Sequence, residues 1–349
     1  MKAVVVKGKG AYVDRDRPKP TLRDDYILVK TVAVALNPTD WKHFTFGLAT
    51  DGCLVGCDFA GVVEAVGPAV TKAFQKGDRI AGVAHGGNAV QPEDGAFAEY
   101  VVAKGDVQLK IPASLDFAPA ATLLLGVTTV MQGLYQKALK IPWPTNPISH
   151  QEYILIYGGS SATGALGIQF AKLSGYTVIT TCSPRNFEYV KSLGASHAFD
   201  YNDSTAAAQI RDLTGNQLKL AWDTISEASS AQFCADALTS DGSKGATYGS
   251  ILPVTSPRAD VHSVSTLMYT IFGEAFEFGS NKIPAVAEDF EYTKKFVAMV
   301  ETLLAEGKLR PHKERVGPRG LEGVLEGLQD MKNGKVSGEK LVYLVDETP

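Results

Sequence analysis

Residues 153–175 read YILIYGGSSATGALGIQFAKLSG, and this stretch decides the fold class. An apolar run ends in two glycines, a segment with helical periodicity follows, and YTVITTCS at 176–183 has the composition of a second buried strand. In such a β-α-β unit the small residues let the backbone approach a pyrophosphate, and the N–H groups of the helix face the anion. Ser161, Ala162 and Thr163 occupy the middle of the G-x-G-x-x-G fingerprint. The prediction of a phosphate-binding turn at 158–167 therefore depends on the strand-turn-helix context.

The alternation of strands and helices continues to about residue 283. KLAWDTI and GATYGSI read as further buried strands, and SAQFCADALTS between them reads as a helix. This order predicts an α/β fold with a doubly wound parallel sheet, a Rossmann cofactor-binding domain over residues 151–283. The polar, proline-rich segment PWPTNPISHQ at 142–151 marks the expected domain border.

The residues on either side of this domain have a different pattern. Up to about residue 110, short β-rich runs alternate with Gly, Pro and Asp turns, which predicts a compact, mostly antiparallel β domain. Beyond about residue 283, two helices and the strand KLVYLV do not extend the alternation. We therefore predict a mostly β domain over residues 1–150 that is completed by residues 284–349.

Composition narrows the possible partners and location. A net charge of −4 and scattered lysines and arginines offer no basic surface for nucleic acid or an anionic membrane. The start, MKAVVVKGKGAYV, lacks the apolar region of a secretory signal, and no run reaches about 18 apolar residues, so we expect a cytoplasmic protein. Four dispersed cysteines are too few for a disulfide framework or a structural zinc site. Cys53 and Cys57 lack a partner at ligand spacing, so no metal is predicted.

The end of the second buried strand indicates the cofactor. NAD enzymes place an acidic residue there for the ribose 2′-hydroxyl, but this chain has Cys182 followed by SPRN at 183–186. Ser183 can donate a hydrogen bond to a 2′-phosphate, and Arg185 offers a permanent charge and a fork of donors. NADPH is therefore the predicted cofactor. The alternative is that Arg185 is only a solvated surface charge and that Lys191 contacts the phosphate.

Four further motifs carry a family resemblance: NPTDWK at 37–42, LVGCDFAGVVEAVG at 54–67, KGDRIAG at 76–82 and GAFAEY at 95–100. Together they resemble the medium-chain dehydrogenase/reductase superfamily, which implies a GroES-like catalytic domain beside the Rossmann domain. The zinc alcohol dehydrogenases of that superfamily carry a Cys just before the T-D pair and a Gly-His-Glu in the next block. This chain has Asn37 and Pro38, then GCD at 56–58, and no cysteine between residues 84 and 95. The resemblance thus implies a zinc-independent reductase.

A narrower set of motifs resembles the trans-acting enoyl reductases of fungal polyketide synthases: YGGSSATGALGIQ, TCSPRNFEYVKSLGA, FDYND, YTIFGE and GKVSGEKLV. This resemblance implies an NADPH-dependent enoyl reductase whose thioester substrate is held on a carrier protein, with a synthase as transient partner. It implies that NADPH is surrounded by Thr39, Asp40, Trp41, Lys42, Ser160, Ser161, Ala162, Thr163, Ser183, Pro184, Arg185, Asn186, Tyr201, Ile251, Leu252, Val336 and Ser337. It implies that the acyl pocket is lined by Gly126, Val127, Thr128, Thr129, Val130, Met131, Gln132, Gly133, Thr270, Ile271, Phe272, Gly273 and Glu274.

Two residues are the candidates for catalysis. Lys42 ends the NPTDWK motif and is the first candidate for a charged donor near the nicotinamide ribose or the enolate. The alternative, favoured over direct proton transfer, is that Lys42 only hydrogen-bonds the cofactor ribose. In that case water or Thr128 provides the proton, unless Thr128 and Thr129 are merely helix caps.

Tyr201 is expected to contact the cofactor, with a buried structural tyrosine as the alternative. Phe272 either closes a pocket, makes a subunit contact or packs in the core.

Fold and cofactor do not establish the substrate. A quinone or free-enone oxidoreductase acting on small diffusible substrates remains a second hypothesis, and a requirement for a carrier protein would separate the two. A nucleotide-binding protein that has lost turnover is a third.

Overall fold

The protein, described over residues 1–349 by a computed structural model, divides into two compact units. One consists of Met1–Leu125 and Tyr269–Pro349, the other of Gly126–Met268. The sequence predicted borders near residues 150 and 283. In the structure, residues 126–150 belong to the second unit and residues 269–283 to the first, each the reverse of the prediction. The reason for the first difference is packing: Cβ atoms added to Gly126 and Gly133 would lie 2.6 Å from Leu166 and 2.2 Å from Trp222, which are residues of the second unit.

The chain up to Leu125 supplies most of the first unit, and residues 126–136 begin the second. Residues 1–136 contain short 3-10 and π-helical stretches at Gly105–Val107 and Met131–Gln136. Their strands and helices are β1 (Ala3–Lys7), β2 (Gly10–Asp14), β3 (Tyr26–Ala35), α1 (Pro38–Thr45), β4 (Asp58–Val66), β5 (Arg79–Val83), β6 (Tyr100–Lys104), β7 (Leu109–Lys110), α2 (Phe117–Ala120) and α3 (Leu124–Val130).

The middle of the chain alternates strands with helices, as its sequence predicts. Three short 3-10 turns, Pro184–Asn186, Gly242–Lys244 and Met268–Phe272, lie between or after them. The regular elements are β8 (Tyr153–Tyr157), α4 (Ala162–Leu173), β9 (Thr177–Thr181), α5 (Phe187–Ser192), β10 (His197–Phe199), α6 (Ala206–Leu213), β11 (Leu220–Asp223), α7 (Ala228–Ala237), β12 (Thr247–Ser250) and β13 (His262–Ser265).

The tail returns to the first unit, as its broken alternation predicts. It ends in a 3-10 turn at Val345–Glu347. Its elements are β14 (Phe276–Phe278), β15 (Asn281–Ile283), α8 (Ala287–Ala305), β16 (Glu314–Gly317), α9 (Gly320–Lys332) and β17 (Lys340–Leu344).

The two main sheets confirm the predicted fold class. The first unit contains a sheet in the order β16-β17-β3-β4-β5-β7, with β6 also paired to β3; every pairing except β16 with β17 is antiparallel. The second unit contains a six-stranded, fully parallel sheet in the order β10-β9-β8-β11-β12-β13. From β8 the chain first adds strands on one side, to β10, and then returns to add β11 on the other side. Doubly wound folds bind their ligands outside the carboxyl ends of the strands at such a switch point, here between β8 and β11.

One helical stretch is long and apolar enough to cross a bilayer, contrary to the expectation from sequence. It covers residues 117–136 and reaches a mean hydropathy of 1.4, but 83% of its most apolar window is buried inside the protein. Apolar side chains that already face protein have no need of lipid, so this stretch is a core segment.

Candidate active site

The predicted phosphate-binding turn directly follows β8, at the switch point of the strand order between β8 and β11. Gly158 has a φ of +81°, and a Cβ there would lie 2.8 Å from Thr224 and Ile225, so only glycine fits. A Cβ on Gly164 would lie 2.3 Å from the carbonyl oxygen of Gly158. The turn and the first turn of α4 are therefore in direct backbone contact.

The start of α4 offers donors to an anion. Ser161 is the N-cap, and its Oγ accepts a hydrogen bond of 3.0 Å from the N–H of Gly164. The N–H groups of Ala162 and Thr163 are among the first in the helix, and no carbonyl of the helix lies in position to accept from them. Ser160, Ser161, Ala162 and Thr163 are all partly exposed. This cradle fits the pyrophosphate of a dinucleotide.

Several polar groups after β9 have no partner or only a weak contact within the protein. Arg185 is exposed and makes no ion pair, whereas the Lys191 ammonium lies 3.2 Å from a Glu188 carboxylate oxygen. The Ser183 hydroxyl lies 3.4 Å from that of Tyr201, which is 43% exposed and so is not a buried structural tyrosine. Asn186 carries a buried Nδ2 with no partner in the protein. An unpaired cation, two hydroxyls and an orphaned amide donor fit a ribose 2′-phosphate.

The remaining predicted cofactor residues lie on loops. Ile251 and Leu252 directly follow β12, and the Ile251 N–H donates to Ser226 Oγ at 3.0 Å. Pro184 is exposed in the 3-10 turn after β9. In the first unit, Val336 packs against the core of that unit and Ser337 is exposed, both between α9 and β17.

The NPTDWK motif forms the beginning of α1. Asn37 is the N-cap, and its backbone N–H donates to Asp40 Oδ2 at 2.6 Å. Asp40 is 2% exposed, and burial raises the pKa of its carboxyl to about 7. Trp41 and Lys42 are half-buried, with the Lys42 ammonium 5.8 Å from the Trp41 ring centre. Asp40 therefore supports the helix from inside, while Trp41 and Lys42 reach its partly exposed side.

A buried cluster of two histidines and a tyrosine adjoins α1, and the sequence did not single it out. The Tyr269 hydroxyl lies 2.7 Å from Thr39 Oγ1, and His43 Nδ1 donates to the Thr39 carbonyl at 2.7 Å. The His85 ring stacks on Tyr269 at 4.3 Å. Burial lowers the pKa of His43 and lowers that of His85 further, so both imidazoles are neutral. His43 directly follows the NPTDWK motif, four residues after Thr39, and this helical spacing was the available signal.

The segment predicted to line the acyl pocket from the tail is mostly packed inside the first unit. Thr270 donates to the buried carboxylate of Asp289, Ile271 is fully buried, and Phe272 lies with its ring centre 6.0 Å from that of His85. Gly273 turns the chain with a φ of +66°. The Glu274 carboxylate accepts hydrogen bonds from Lys104 Nζ at 2.7 Å and from the Tyr26 hydroxyl at 2.8 Å.

The other predicted pocket segment is also buried. Gly126, Val127, Thr128, Thr129 and Val130 lie in α3, and Met131, Gln132 and Gly133 begin the π-helical stretch. Thr128 is fully buried and Thr129 is 8% exposed. Because α3 begins at Leu124, neither threonine is a helix cap, and that alternative is wrong. Single π-helical turns are frequent at functional sites.

Asp58, which belongs to the motif where this chain departs from the zinc enzymes, is held in an ion pair with Lys340. Asp58 is fully buried, and one of its oxygens accepts hydrogen bonds from Asn37 Nδ2 at 2.9 Å and from Lys340 Nζ at 2.5 Å. No group of three or more His, Cys, Asp or Glu side chains in the chain is arranged to hold a metal ion. The Lys340 ammonium bound to Asp58 would repel a metal cation, so these side chains do not fit zinc.

Comparisons with known proteins agree with both units. Residues 23–113 match the alcohol dehydrogenase GroES-like domain, and residues 162–269 match a domain described as zinc-binding dehydrogenase. The trans-enoyl reductase resD of Aspergillus sclerotiorum is 48% identical over 99% of this chain and 100% of its own length. The trans-enoyl reductase TOXD of Cochliobolus carbonum is 58% identical over 75% of this chain and 86% of its own.

A solved structure shows the same fold. An alcohol dehydrogenase superfamily protein from Novosphingobium aromaticivorans is 22% identical and superposes with a TM-score of 0.80. The match covers 99% of this chain and 99% of that protein. At this identity the likeness concerns the fold alone. The full-length similarity to resD carries more weight and confirms the family that the motifs predicted. The chain belongs to the trans-enoyl reductases of the medium-chain dehydrogenase/reductase superfamily.

Proposed function

We propose that the protein is an NADPH-dependent enoyl reductase, which reduces the α,β double bond of an enoyl thioester. Its substrate is a polyketide intermediate on a carrier protein, and the protein acts in trans with a polyketide synthase as transient partner. The observation that carries this proposal is the 48% identity to a trans-enoyl reductase over the full length of both chains. A nicotinamide dinucleotide also fits the glycine cradle at the start of α4.

The preference for NADPH over NADH is supported by the residues after β9. Arg185 supplies an unpaired charge, Ser183 and Tyr201 supply hydroxyls, and Asn186 supplies a buried amide donor without a partner. A 2′-phosphate would satisfy these groups with charge-assisted hydrogen bonds, which a ribose hydroxyl cannot do. Lys191 is a weaker candidate because Glu188 already neutralises it.

When bound, NADPH supplies the hydride that the β-carbon of the thioester receives. The chain's own residues must then stabilise negative charge on the thioester oxygen and deliver a proton to Cα. We assign the first task to Lys42, which is partly exposed and ends the NPTDWK motif at the beginning of α1. We assign the proton to Thr128 or to a water molecule, with Thr128 orienting the thioester carbonyl in the second case.

The buried neighbours of α1 hold Thr39 for cofactor binding. The Tyr269 hydroxyl and the His43 imidazole contact the side chain and the carbonyl of Thr39 from the interior, at 2.7 Å each. A neutral His43 donates from Nδ1 without adding a charge beside Thr39. We infer that these contacts orient Thr39 before a cofactor binds.

The test is the loss of 340 nm absorbance with NADPH or NADH and a crotonyl or longer 2-enoyl thioester. Wild type is compared with Lys42→Ala and Arg185→Ala. We expect thioester-dependent oxidation of NADPH, slower turnover in Lys42→Ala and a reduced preference for NADPH in Arg185→Ala. Oxidation only with quinones or free enones would replace the proposal with a quinone or free-enone oxidoreductase. Tight NADPH binding with no oxidation, even of a carrier-bound enoyl thioester, would indicate a protein without turnover.

We also propose a cytoplasmic location. All four cysteines are free thiols buried in the protein, which suits a reducing compartment. Fractionation of cells that express the tagged protein, with a cytoplasmic marker, tests this proposal, and recovery in an organelle or membrane fraction would overturn it.

A further inference from the structure

A single buried carboxylate receives donors from three distant parts of the first unit. Asp58 is the first residue of β4 and is fully buried. Its Oδ2 accepts from Asn37 Nδ2 at 2.9 Å and from Lys340 Nζ at 2.5 Å, and its Oδ1 accepts from the backbone N–H of Leu125 at 2.8 Å. Both oxygens are therefore engaged by hydrogen bonds, one of them from a cation.

The three donors lie at or beside the start of three different elements. Asn37 is the N-cap of α1, Leu125 lies in the first turn of α3, and Lys340 is the first residue of β17. Lys340 lies 282 residues from Asp58 along the chain, and its side chain is 3% exposed. Its ammonium has a second acceptor in the carbonyl of Thr122 at 3.4 Å. Three chain segments thus converge on one ion pair.

The neighbouring titratable groups Asp40 and His312 supply no second cation to Asp58. Asp40 is itself acidic, and burial raises its pKa to about 7. Burial, and then the charges of Lys340 and Lys313, lower the pKa of His312 to about 3, so that imidazole is neutral. A buried carboxylate facing two neutral donors needs a cation, since an uncompensated buried charge is costly. Lys340 is the only cation that contacts Asp58.

We propose that the Asp58–Lys340 ion pair is a positioning device for the first turns of α1 and α3. These helices carry Thr39 to Lys42 and Thr128, so the inference rests on the proposed function for its effect on turnover. Without the ammonium, Asp58 would turn to other donors or draw in water, and Asn37 and Leu125 would lose their fixed acceptor. A displacement of about 1 Å at such groups can lower a rate by about 100-fold.

The test compares Lys340→Met with Lys72→Met. Lys72 is a matched control, because its ammonium is also mostly buried and paired, with Glu301 and the carbonyl of Gln108 at 2.6 Å each, and it contacts neither α1 nor α3. Backbone hydrogen exchange is measured by mass spectrometry over residues 37–45 and 122–130, and kcat and KM are measured with an enoyl thioester. Exchange does not depend on activity, so it tests the positioning even if the proposed reaction fails.

We expect exchange in both segments to be at least about 10-fold faster in Lys340→Met, and kcat to fall by about 10- to 100-fold with a smaller change in the KM for NADPH. Lys72→Met should leave both segments and kcat near wild type. Unchanged exchange in the two segments, or the same acceleration throughout the chain, would overturn the proposal.

A second variant covers the case in which Lys340→Met does not fold. The double variant Asp58→Asn with Lys340→Met removes both charges and keeps an amide oxygen as acceptor. We expect it to fold with the same two segments exchanging faster. Wild-type exchange and wild-type kcat in the folded double variant would show that the ion pair positions neither helix.

Discussion

Replacing Asp40 with Asn should change how the stability of the protein depends on pH. Burial raises the pKa of this carboxyl to about 7, whereas in the unfolded chain it is about 3.9. Between these values the folded protein binds a proton that the unfolded chain does not. The stabilisation from this group is therefore complete below about pH 4 and is lost as the pH rises through 7.

The size of the effect follows from the two pKa values. A difference of about 3 pH units corresponds to about 4 kcal/mol in total, of which about 3 kcal/mol falls between pH 5 and pH 8. Asn keeps an oxygen for the Asn37 N–H, which donates at 2.6 Å, but does not ionise. Asp40→Asn should thus remove this loss and stabilise the protein at pH 8 relative to wild type.

Urea unfolding at pH 5, 6, 7 and 8 measures the difference in the free energy of unfolding between variant and wild type. Contributions from other groups cancel in this difference, including Asp94, whose carboxyl pKa burial raises to about 6. We expect the difference to grow by about 3 kcal/mol in favour of the variant from pH 5 to pH 8. A difference that stays constant within about 1 kcal/mol would refute the inferred protonation of Asp40.

Three further substitutions test the cofactor site and the packing of the second unit. Arg185→Ala should raise the KM for NADPH by about 10- to 100-fold, because a charge-assisted hydrogen bond contributes about 1.5–3 kcal/mol, and should leave the KM for NADH unchanged. The control is Lys191→Ala, since the Lys191 ammonium is paired with Glu188; equal losses with both cofactors in Arg185→Ala would contradict the assignment. Gly159→Ala places a Cβ 2.0 Å from Thr180 Oγ1, which donates to the Ile156 carbonyl and cannot move freely, so both thermal stability and NADPH affinity should fall; wild-type affinity in a fluorescence titration would argue against the cradle. Gly133→Ala places a Cβ 2.2 Å from Trp222 Nε1 and should destabilise the protein by about 1–3 kcal/mol in thermal unfolding, whereas Gly10→Ala, with its nearest atom at 3.8 Å, should not; equal melting temperatures would show that the helix shifts without cost.

The parts of the fold that depend on local pattern were predictable. The phosphate-binding turn needs only a buried strand, glycines and a helix start within about 15 residues, and all three stand together at 153–167. The parallel sheet follows from the strand and helix alternation, because parallel strands require crossover connections. Periodicity is a local property, and one sequence suffices to read it.

The domain borders depend on packing partners and were harder to place. Residues 126–136 are mainly apolar or small and include no charged side chain, so their sequence fits the core of either unit. Only the contacts of Gly126 with Leu166 and of Gly133 with Trp222 show to which unit they belong. The apolar start of α3 carries no capping signal that marks its first residue. For this reason Thr128 and Thr129 were considered as caps, although the helix begins at Leu124.

Much of the candidate site depends on pairs that are far apart in sequence. Lys340 meets Asp58 across 282 residues, and Tyr269 meets Thr39 across 230. His43 and His85 lie on separate segments and share contacts with Tyr269. Periodicity and motif spacing contain no information on such pairs, so the buried support of α1 emerged only from the structure.

The most direct test of the proposed enoyl reduction is the rate of NADPH oxidation at 340 nm with a 2-enoyl group on a carrier protein. The same acyl chain as a free enone, and a quinone, are measured in parallel. The proposal predicts rapid oxidation with the carrier-bound thioester, formation of the saturated thioester by mass spectrometry, and little turnover with the other two. Efficient turnover of the quinone or the free enone, with none of the carrier-bound thioester, would contradict it.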